Sequence, residues 1–157
     1  MGIYDKYKNL KKAEQDFLWA HPFAAAAFDS NASTALSEAQ KRFAESSLHN
    51  GSGDAFRHCF WSAMNVRDEG VTLARQFGEA HEDFAANPPA EKAMDLHNNE
   101  VGYTIGSISP NLPDRSLALM CVQAWAAGKL VQIKGVNSSD LVYSNSVESF
   151  FYGTHKP

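Results

Sequence analysis

Three short segments of the chain hold the side chains that could do chemistry. They read DAFRH at residues 54–58, AHE at residues 80–82 and AMDLHNNEVG at residues 93–102. Together they offer imidazole nitrogens, carboxylate oxygens and carboxamides, the groups that bind metal ions, transfer protons and stabilise developing negative charge. They can support a reaction only if the elements that carry them bring them together.

A metal-centred interpretation uses nitrogen and oxygen ligands from all three segments. The predicted metal ligands are Asp54, His58, His81, Glu82 and Asp95. A mixed set of this kind suits Zn²⁺ or Mn²⁺, which lowers the pKa of a bound water and polarises a carbonyl or phosphoryl group. The spacing does not match HExxH or another established zinc pattern. The sequence therefore does not establish that a metal ion is bound.

A metal-free interpretation needs fewer groups. His58 is then a general base, and Asp95 or Asp54 holds its ring in the tautomer that takes a proton from water. The side-chain amide of Asn98 or Asn99 would stabilise an oxyanion. The spacing leaves both interpretations open, and both require that the first and third segments meet.

The first segment is predicted to begin a helix that runs from about Asp54 to Glu69 and is closed by Gly70. On this helix a polar stripe follows one side, made of Asp54, His58, Trp61 and Asn65. In the ordinary interpretation, Asp54 is a first-turn acid that the helix dipole favours, and His58 is a hydrogen-bonded histidine of the helix. A second polar stripe on a nearby helix favours a shared site instead.

The third segment lies in a predicted helix that begins after Asn87 as its cap and runs to about Ile105. Its polar stripe consists of Asp95, Asn98, Asn99 and Gly102. Apolar residues flank this stripe on both sides, so we expect it to face inward while His97 faces solvent. In the alternative, the stripe is solvated and His97 points inward.

The second segment lies on a helix predicted from about Thr72 to Ala86. His81 shares a face with Phe77 and other apolar residues, which predicts that it points toward the core, whereas Glu82 lies on the flank. A core histidine and a surface carboxylate are the ordinary interpretations of the two residues. Short connections between consecutive helices make the three stripes predicted neighbours.

Composition and pattern predict a mainly α fold, in which residues 1–157 form a single-domain helical bundle with a small C-terminal β-hairpin over residues 129–144. The 157 residues are 44% hydrophobic and 20% charged, which is typical of one soluble domain. The hairpin strands are KLVQI and DLVYS. Cys59 and Cys121 lie in apolar helical patterns and are expected to be free, buried thiols.

The charge of the chain disfavours one class of partner, and its hydropathy bears on membrane and targeting segments. The formal net charge of −4 and the isoelectric point near 5.8 disfavour nucleic acid, because binding to its backbone draws mainly on Lys and Arg. No apolar run is long enough for a transmembrane helix, and the N-terminus lacks the pattern of a signal peptide. The sequence therefore carries no recognisable targeting signal of its own.

The three segments, in this order, resemble the motifs of an uncharacterised helical domain of bacterial secreted proteins. That domain occurs at the toxic C-terminal ends of RHS-type and other polymorphic toxins and in stand-alone effectors. The resemblance rests on DAFRH, AHE and MDLHNNxxG and covers roughly residues 49–130. It implies a motif position at each of Asp54, Arg57, His58, His81, Glu82, Asp95, His97, Asn98 and Asn99. With Arg57 added on this basis, the predicted catalytic residues are Arg57, His58, Asp95, Asn98 and Asn99.

The His, Asp and Asn side chains suit hydrolysis, and the small size, the lack of a signal and the resemblance to effectors together favour a hydrolytic antibacterial effector that acts on a target such as membrane phospholipid or cell-wall polymer. The resemblance implies a cognate immunity protein, synthesis in the bacterial cytoplasm, and export by a dedicated secretion apparatus or a larger carrier. The alternative is a non-catalytic binding or structural module, in which the Asp, His and Asn side chains form a buried packing network or a structural metal site.

Overall fold

The structure is a computed structural model that describes residues 10–108, 110–135 and 138–145. The described chain contains six α-helices, one short 3-10 helix (Glu45–Ser47) and a two-stranded antiparallel sheet. The elements are α1 (Lys12–Ala20), α2 (Pro22–Arg42), α3 (Ser52–Glu69), α4 (Val71–Glu82), α5 (Pro89–Gly106), α6 (Asp114–Ala126), β1 (Val131–Ile133) and β2 (Leu141–Tyr143). The predicted mainly α fold with a C-terminal hairpin is confirmed.

Helix α3 lies at the centre of the fold. From Ser52 to Val66, every residue except Arg57 is buried. A helix that is covered on all sides must pack against several others, and α3 packs against α2, α4, α5 and α6. Polar side chains on α3 are therefore held in the interior, and they need partners from the surrounding helices.

Helix α5 crosses α3 at close range because glycines lie at the contact. A Cβ atom added to Gly102 would lie 2.7 Å from Cβ of Ser62, and closer still to the carbonyl oxygen of Cys59. Gly106 meets the backbone of Ala63 in the same way, one turn further along. Only glycine permits this approach, which brings the polar stripe of α5 against α3.

The start of α5 differs from the prediction. Pro88, rather than Asn87, is the residue that precedes the first helical turn. The side-chain nitrogen of Asn87 instead donates to the backbone carbonyl of Glu82 at 3.0 Å and to its carboxylate at 2.8 Å. Because Asn87 turns back toward the end of α4, its side chain is not available to cap α5.

The hairpin pairs β1 with β2 in antiparallel register, with Val131 opposite Tyr143 and Ile133 opposite Leu141. All three residues of β1 are buried, whereas Leu141 and Tyr143 of β2 are exposed. The hairpin therefore packs on the helices through β1. Within the described residues, no helix is both long and apolar enough to cross a membrane.

Candidate functional site

The first and third segments meet in a buried cluster of three titratable side chains. Asp54 and His58 lie one turn apart on α3, and Asp95 reaches them from α5. Nε2 of His58 lies 3.6 Å from Oδ1 of Asp54 and 3.3 Å from Oδ1 of Asp95. Among the described residues, this is the one group of three whose ligand atoms all lie within 4.8 Å of one another, as a metal ion would require.

Arg57 supplies a positive charge to this cluster. Its Nη2 atom lies 2.5 Å from Oδ1 of Asp54 and 2.7 Å from Nε2 of His58. A guanidinium can only donate hydrogen bonds, so Nε2 must accept, and a neutral His58 ring then carries its proton on Nδ1. The other oxygen of Asp54 accepts the backbone N–H of Asn50 at 2.7 Å.

Burial and neighbouring charges separate the pKa values of the three groups. Burial and the charge of Arg57 lower the pKa of His58 to about 3. Burial and the carboxylates of Asp54 and Glu82 raise the pKa of Asp95 to about 8. Burial also acts to raise the pKa of Asp54, but Arg57 and His58 outweigh it and hold that pKa below its usual value. At neutral pH, Asp54 is ionised while His58 and Asp95 are neutral.

Several polar atoms of the site are buried without a hydrogen-bond partner. They include Nδ1 of His58, Oδ1 of Asp95 and Nδ2 of Asn99. The oxygen of the Asn99 amide accepts from Oγ of Ser62 at 2.9 Å, and Asn99 is near enough to the His58 ring to favour its protonated form. Buried polar groups are usually satisfied in folded proteins, so these atoms are the ones that a bound water, ion or small molecule would pair with.

Asn98, one of the predicted catalytic residues, has a different set of contacts. Its side-chain nitrogen donates to the carbonyl of Val131 at 2.9 Å, and its oxygen accepts the N–H of Val131 at the same distance. The amide thus pairs with the backbone of β1 as a neighbouring strand would. These contacts attach the hairpin to α5 and direct the Asn98 amide away from the cluster.

His81 and Glu82 are oriented oppositely to the prediction. Glu82, expected on the flank, is buried, and its carboxylate accepts from Asn87. The His81 side chain, expected in the core, keeps 35% of its surface exposed. The physical reason is that α4 ends at Glu82 and the chain folds back over it through Asn87. Neither residue belongs to the three-residue cluster.

His81 pairs instead with Glu14 of α1. Nδ1 of His81 lies 2.6 Å from Oε1 of Glu14, and the ring centroid lies 6.5 Å from that of His58. Burial acts to raise the pKa of Glu14, but the hydrogen bonds from His81 and from the backbone of Lys11 outweigh it and lower that pKa. The sequence contains a signal for Glu14, because it recurs at helical spacing with the apolar residues Leu10 and Phe17 and is the charged member of that series.

His97 lies outside the cluster. The helical pattern predicted this position, whereas the motif resemblance counted His97 among the motif residues. Its Nε2 atom lies 2.9 Å from the carbonyl oxygen of Lys129, and the residue is half-buried rather than open to solvent. Glu100, one turn along, is exposed and pairs with Arg75. Asn98 and Asn99 are fully buried, so the polar stripe of α5 faces inward as predicted.

Asp95 and Arg57 are the partly exposed side chains at the cluster. The His58 side chain is 2% exposed, whereas the side chains of Asp95 and Arg57 are 14% and 28% exposed. An incoming molecule would therefore meet Asp95 and Arg57 first, and His58 only through them. Asp95 is thus the titratable group of the cluster that a substrate can reach.

An open groove of about 920 Å³ lies next to the cluster without containing it. Its lining includes Asn50, Pro88, Glu91 and Ile133. Asn50 joins the groove to the cluster, because its backbone N–H binds Asp54 and its side chain donates to Glu91 at 2.9 Å. The groove therefore offers a binding surface that ends beside the buried acid groups.

Comparison with known proteins identifies a family without a known activity. The family model described as a domain of unknown function, DUF6973, matches residues 15–129, which is well over half of the chain. The matched range includes Glu14's neighbours in α1 and all of the DAFRH, AHE and MDLHNNxxG segments. No solved structure matches the chain.

Proposed function

The chain belongs to the DUF6973 family, and we propose that its Asp54, His58 and Asp95 cluster is the active site of a hydrolase that acts as an antibacterial effector. One observation carries this proposal: Oδ1 of Asp95 lies 3.3 Å from Nε2 of the buried His58, and Asp95 itself is partly exposed. A carboxylic acid whose pKa is raised into the neutral range is poised to donate a proton at neutral pH.

Asp95 is the general acid in this proposal. Its proton would go to the leaving group as the scissile bond breaks, and His58 would limit the position of the carboxyl group by packing behind it at 3.3 Å. His58 is a weak base at neutral pH because burial and Arg57 keep its ring uncharged, so we assign it a positioning role instead of the general-base role. Arg57 would stabilise negative charge that develops on the substrate.

His81 is the general base of the proposed reaction. Glu14 fixes the Nδ1 atom of His81 at 2.6 Å, which leaves Nε2 to take a proton from water. His81 is exposed enough to meet water, and its ring lies 6.5 Å from that of His58. A carboxylate that orients a histidine in this way is a recurrent arrangement for proton abstraction.

A divalent metal is the second chemistry that the cluster could support. One nitrogen and two carboxylate oxygens within 4.8 Å suit Zn²⁺ or Mn²⁺, and such an ion would activate water in place of His81. The Arg57 guanidinium, however, already contacts the ligand atoms of Asp54 and His58. Because a cation there would meet the positive charge of Arg57, the observed geometry favours the metal-free chemistry.

The substrate and partners of the enzyme are part of the proposal. We propose membrane phospholipid or cell-wall polymer as the substrate, a cognate immunity protein as a partner, and export from the bacterial cytoplasm by a secretion apparatus or carrier. The support is the motif resemblance to effector domains. The groove beside Asn50 has room for a substrate larger than the scissile group itself.

The test is growth inhibition by the induced protein in the cytoplasm or the periplasm of a bacterial host. We expect the wild-type chain to stop growth in one compartment and Asp95→Asn to lose at least a hundredfold of this toxicity. Asp16→Asn is the matched control, since Asp16 is exposed on α1 and pairs with Lys12 on the same helix. Circular dichroism must show that all three proteins are folded and equally abundant.

Two outcomes would overturn the proposal. One is a wild-type chain that is harmless in both compartments, and the other is an Asp95→Asn variant as toxic as the wild type. Metal dependence is decided on the same proteins, because Zn²⁺ or Mn²⁺ that binds the cluster would raise the melting temperature of the wild type and not that of Asp95→Asn.

A non-catalytic binding or structural module is the alternative. Asn98 favours it locally, because this buried amide serves only to attach the hairpin. A satisfied network can specify packing without catalysing a reaction. The unpaired atoms of His58, Asp95 and Asn99 argue against extending that interpretation to the cluster, since leaving them unsatisfied destabilises the fold.

A further inference from the structure

Cys59 and Cys121, the two cysteines of the chain, meet in the core. Cys59 lies on α3 and Cys121 on α6, and both are fully buried. Their sulfur atoms are 3.3 Å apart, although 62 positions separate them in the sequence. Both are free thiols in the structure, as the sequence predicted, but the sequence pattern did not indicate that they touch.

The contact is close to the geometry of a covalent bond. Sulfur atoms in a disulfide are about 2.05 Å apart, so the two thiols need to approach by only about 1.3 Å. The two sulfur atoms already meet between α3 and α6, so the bond would join side chains that are in contact. On the other side of Cys59, its backbone carbonyl is covered by Gly102 of α5, which fixes the position of this turn of α3.

We propose that Cys59 and Cys121 are a covalent modification site, which a small-molecule disulfide oxidises to an intramolecular disulfide. One thiolate attacks the reagent and releases its first thiol, which gives a mixed disulfide. The second thiolate then attacks the protein sulfur and releases the second thiol. In total, two cysteine thiols lose two protons and two electrons, and one reagent disulfide is reduced to two thiols.

The burial of both sulfurs determines when this reaction occurs. Only the thiolate is nucleophilic, and burial raises the pKa of the Cys121 thiol. The folded, reduced protein is therefore slow to react, and oxidation proceeds during folding or after the chain has opened. A folded chain that has once been oxidised is equally protected from reduction.

The disulfide would stabilise the scaffold of the site without taking part in the chemistry. Cys59 directly follows His58, so the bond would tie the turn of α3 that carries Arg57 and His58 to α6. A cross-link that closes a loop of this length constrains the unfolded chain strongly. We expect the oxidised protein to melt about 10 °C above the reduced protein. This inference does not depend on the proposed hydrolase.

The experiment refolds the full chain from denaturant in a glutathione redox buffer and, separately, in excess reductant. Intact mass and a thiol count in denaturant report the bond, and melting curves without reductant report its effect. We expect the oxidised sample to have lost two hydrogen atoms and both reactive thiols, to be monomeric on a non-reducing gel, and to melt higher. Cys121→Ala is the control, and its melting temperature should be the same from both buffers.

The inference is overturned if both thiols remain reactive after refolding in the oxidising buffer. It is also overturned if the product is a glutathione adduct or a disulfide-linked dimer, or if the oxidised monomer melts at or below the reduced one. The main comparison is between oxidised and reduced wild-type protein and needs no substitution. It therefore still decides the question if the Cys121→Ala variant folds poorly.

Discussion

Oδ1 of Asp95 lies 3.3 Å from Nε2 of His58, so side chains of α5 and α3 meet in one buried cluster. Arg57 approaches the same nitrogen at 2.7 Å and forces it to act as an acceptor. Nε2 then presents a lone pair, and an ionised carboxylate also presents only acceptors. The proximity of Asp95 to Nε2 is therefore favourable only when Asp95 carries a proton. Burial and the carboxylates of Asp54 and Glu82 raise the pKa of Asp95, and burial and the charge of Arg57 lower the pKa of His58, so the neutral form of each side chain is favoured.

The first prediction concerns the pH dependence of stability at Asp95. Its pKa is about 8 in the folded chain and 3.8 in a model peptide, so the folded state binds a proton more tightly. This group's contribution to folding is greatest below pH 4 and is lost as the pH rises to about 8. At about 1.4 kcal/mol per pKa unit, the loss is at most on the order of 6 kcal/mol.

Urea unfolding of the wild type and Asp95→Asn at pH 5, 7 and 9 measures this effect. The stability of the variant should increase relative to the wild type across the series, because its amide cannot ionise. A difference between the two proteins that stays constant from pH 5 to pH 9 would show that Asp95 has an ordinary pKa.

The second prediction concerns the ring of His58. Its low pKa means that it contributes stability above pH 6.5, which is lost as the pH falls toward 3. In long-range ¹H–¹⁵N spectra, the ring should stay neutral from pH 5 to pH 8 with its proton on Nδ1. An Arg57→Gln variant removes the guanidinium and should raise the pKa of His58. Titration of His58 near pH 6.5 in the wild type would contradict the geometry of the cluster.

The third prediction is that Asn98 supports the hairpin. Asn98→Ala leaves both the N–H and the carbonyl of Val131 without a partner, which should cost about 2 to 4 kcal/mol of unfolding free energy. Thr104→Ala is the control on the same helix, because Thr104 is exposed and should change stability by less than about 0.5 kcal/mol. Equal losses in the two variants would mean that the paired amide has no special role.

The fourth prediction tests the crossing of α3 and α5. Helix propensity alone would make Gly102→Ala more stable by about 1 kcal/mol. The added Cβ would instead meet the backbone of Cys59 and the side chain of Ser62, so we expect a net loss of about 2 kcal/mol. Chemical denaturation decides the sign, and a stabilised variant would show that the helices can separate at no cost.

The sequence predicted much of the site because local spacing determines which side chains share a face. Residues four apart lie one turn apart on a helix, so Asp54 and His58 had to be neighbours if α3 formed. Apolar residues on either side of the α5 stripe predicted that Asn98 and Asn99 face inward, and both are buried. The same reasoning separated His97 from the cluster.

The contacts between elements could not be predicted in this way. Periodicity placed Asn98 in the buried stripe, but only the folded chain shows that its amide meets Val131 and not the cluster. His81 and Glu82 exchanged their expected environments because of the turn after α4, where Asn87 covers Glu82. Such contacts depend on how a chain end or a loop returns to the helices.

By itself, the sequence determined the helical bundle, the C-terminal hairpin and the inward polar faces of α3 and α5, since these follow from hydrophobic periodicity over neighbouring residues. Tertiary structure alone decided that Arg57 contacts both Asp54 and His58, and that Glu14 orients His81. It also decided that Cys59 touches Cys121. The physical reason is that pKa values and bond-forming distances depend on groups from distant parts of the chain, whose approach is set by how whole helices pack.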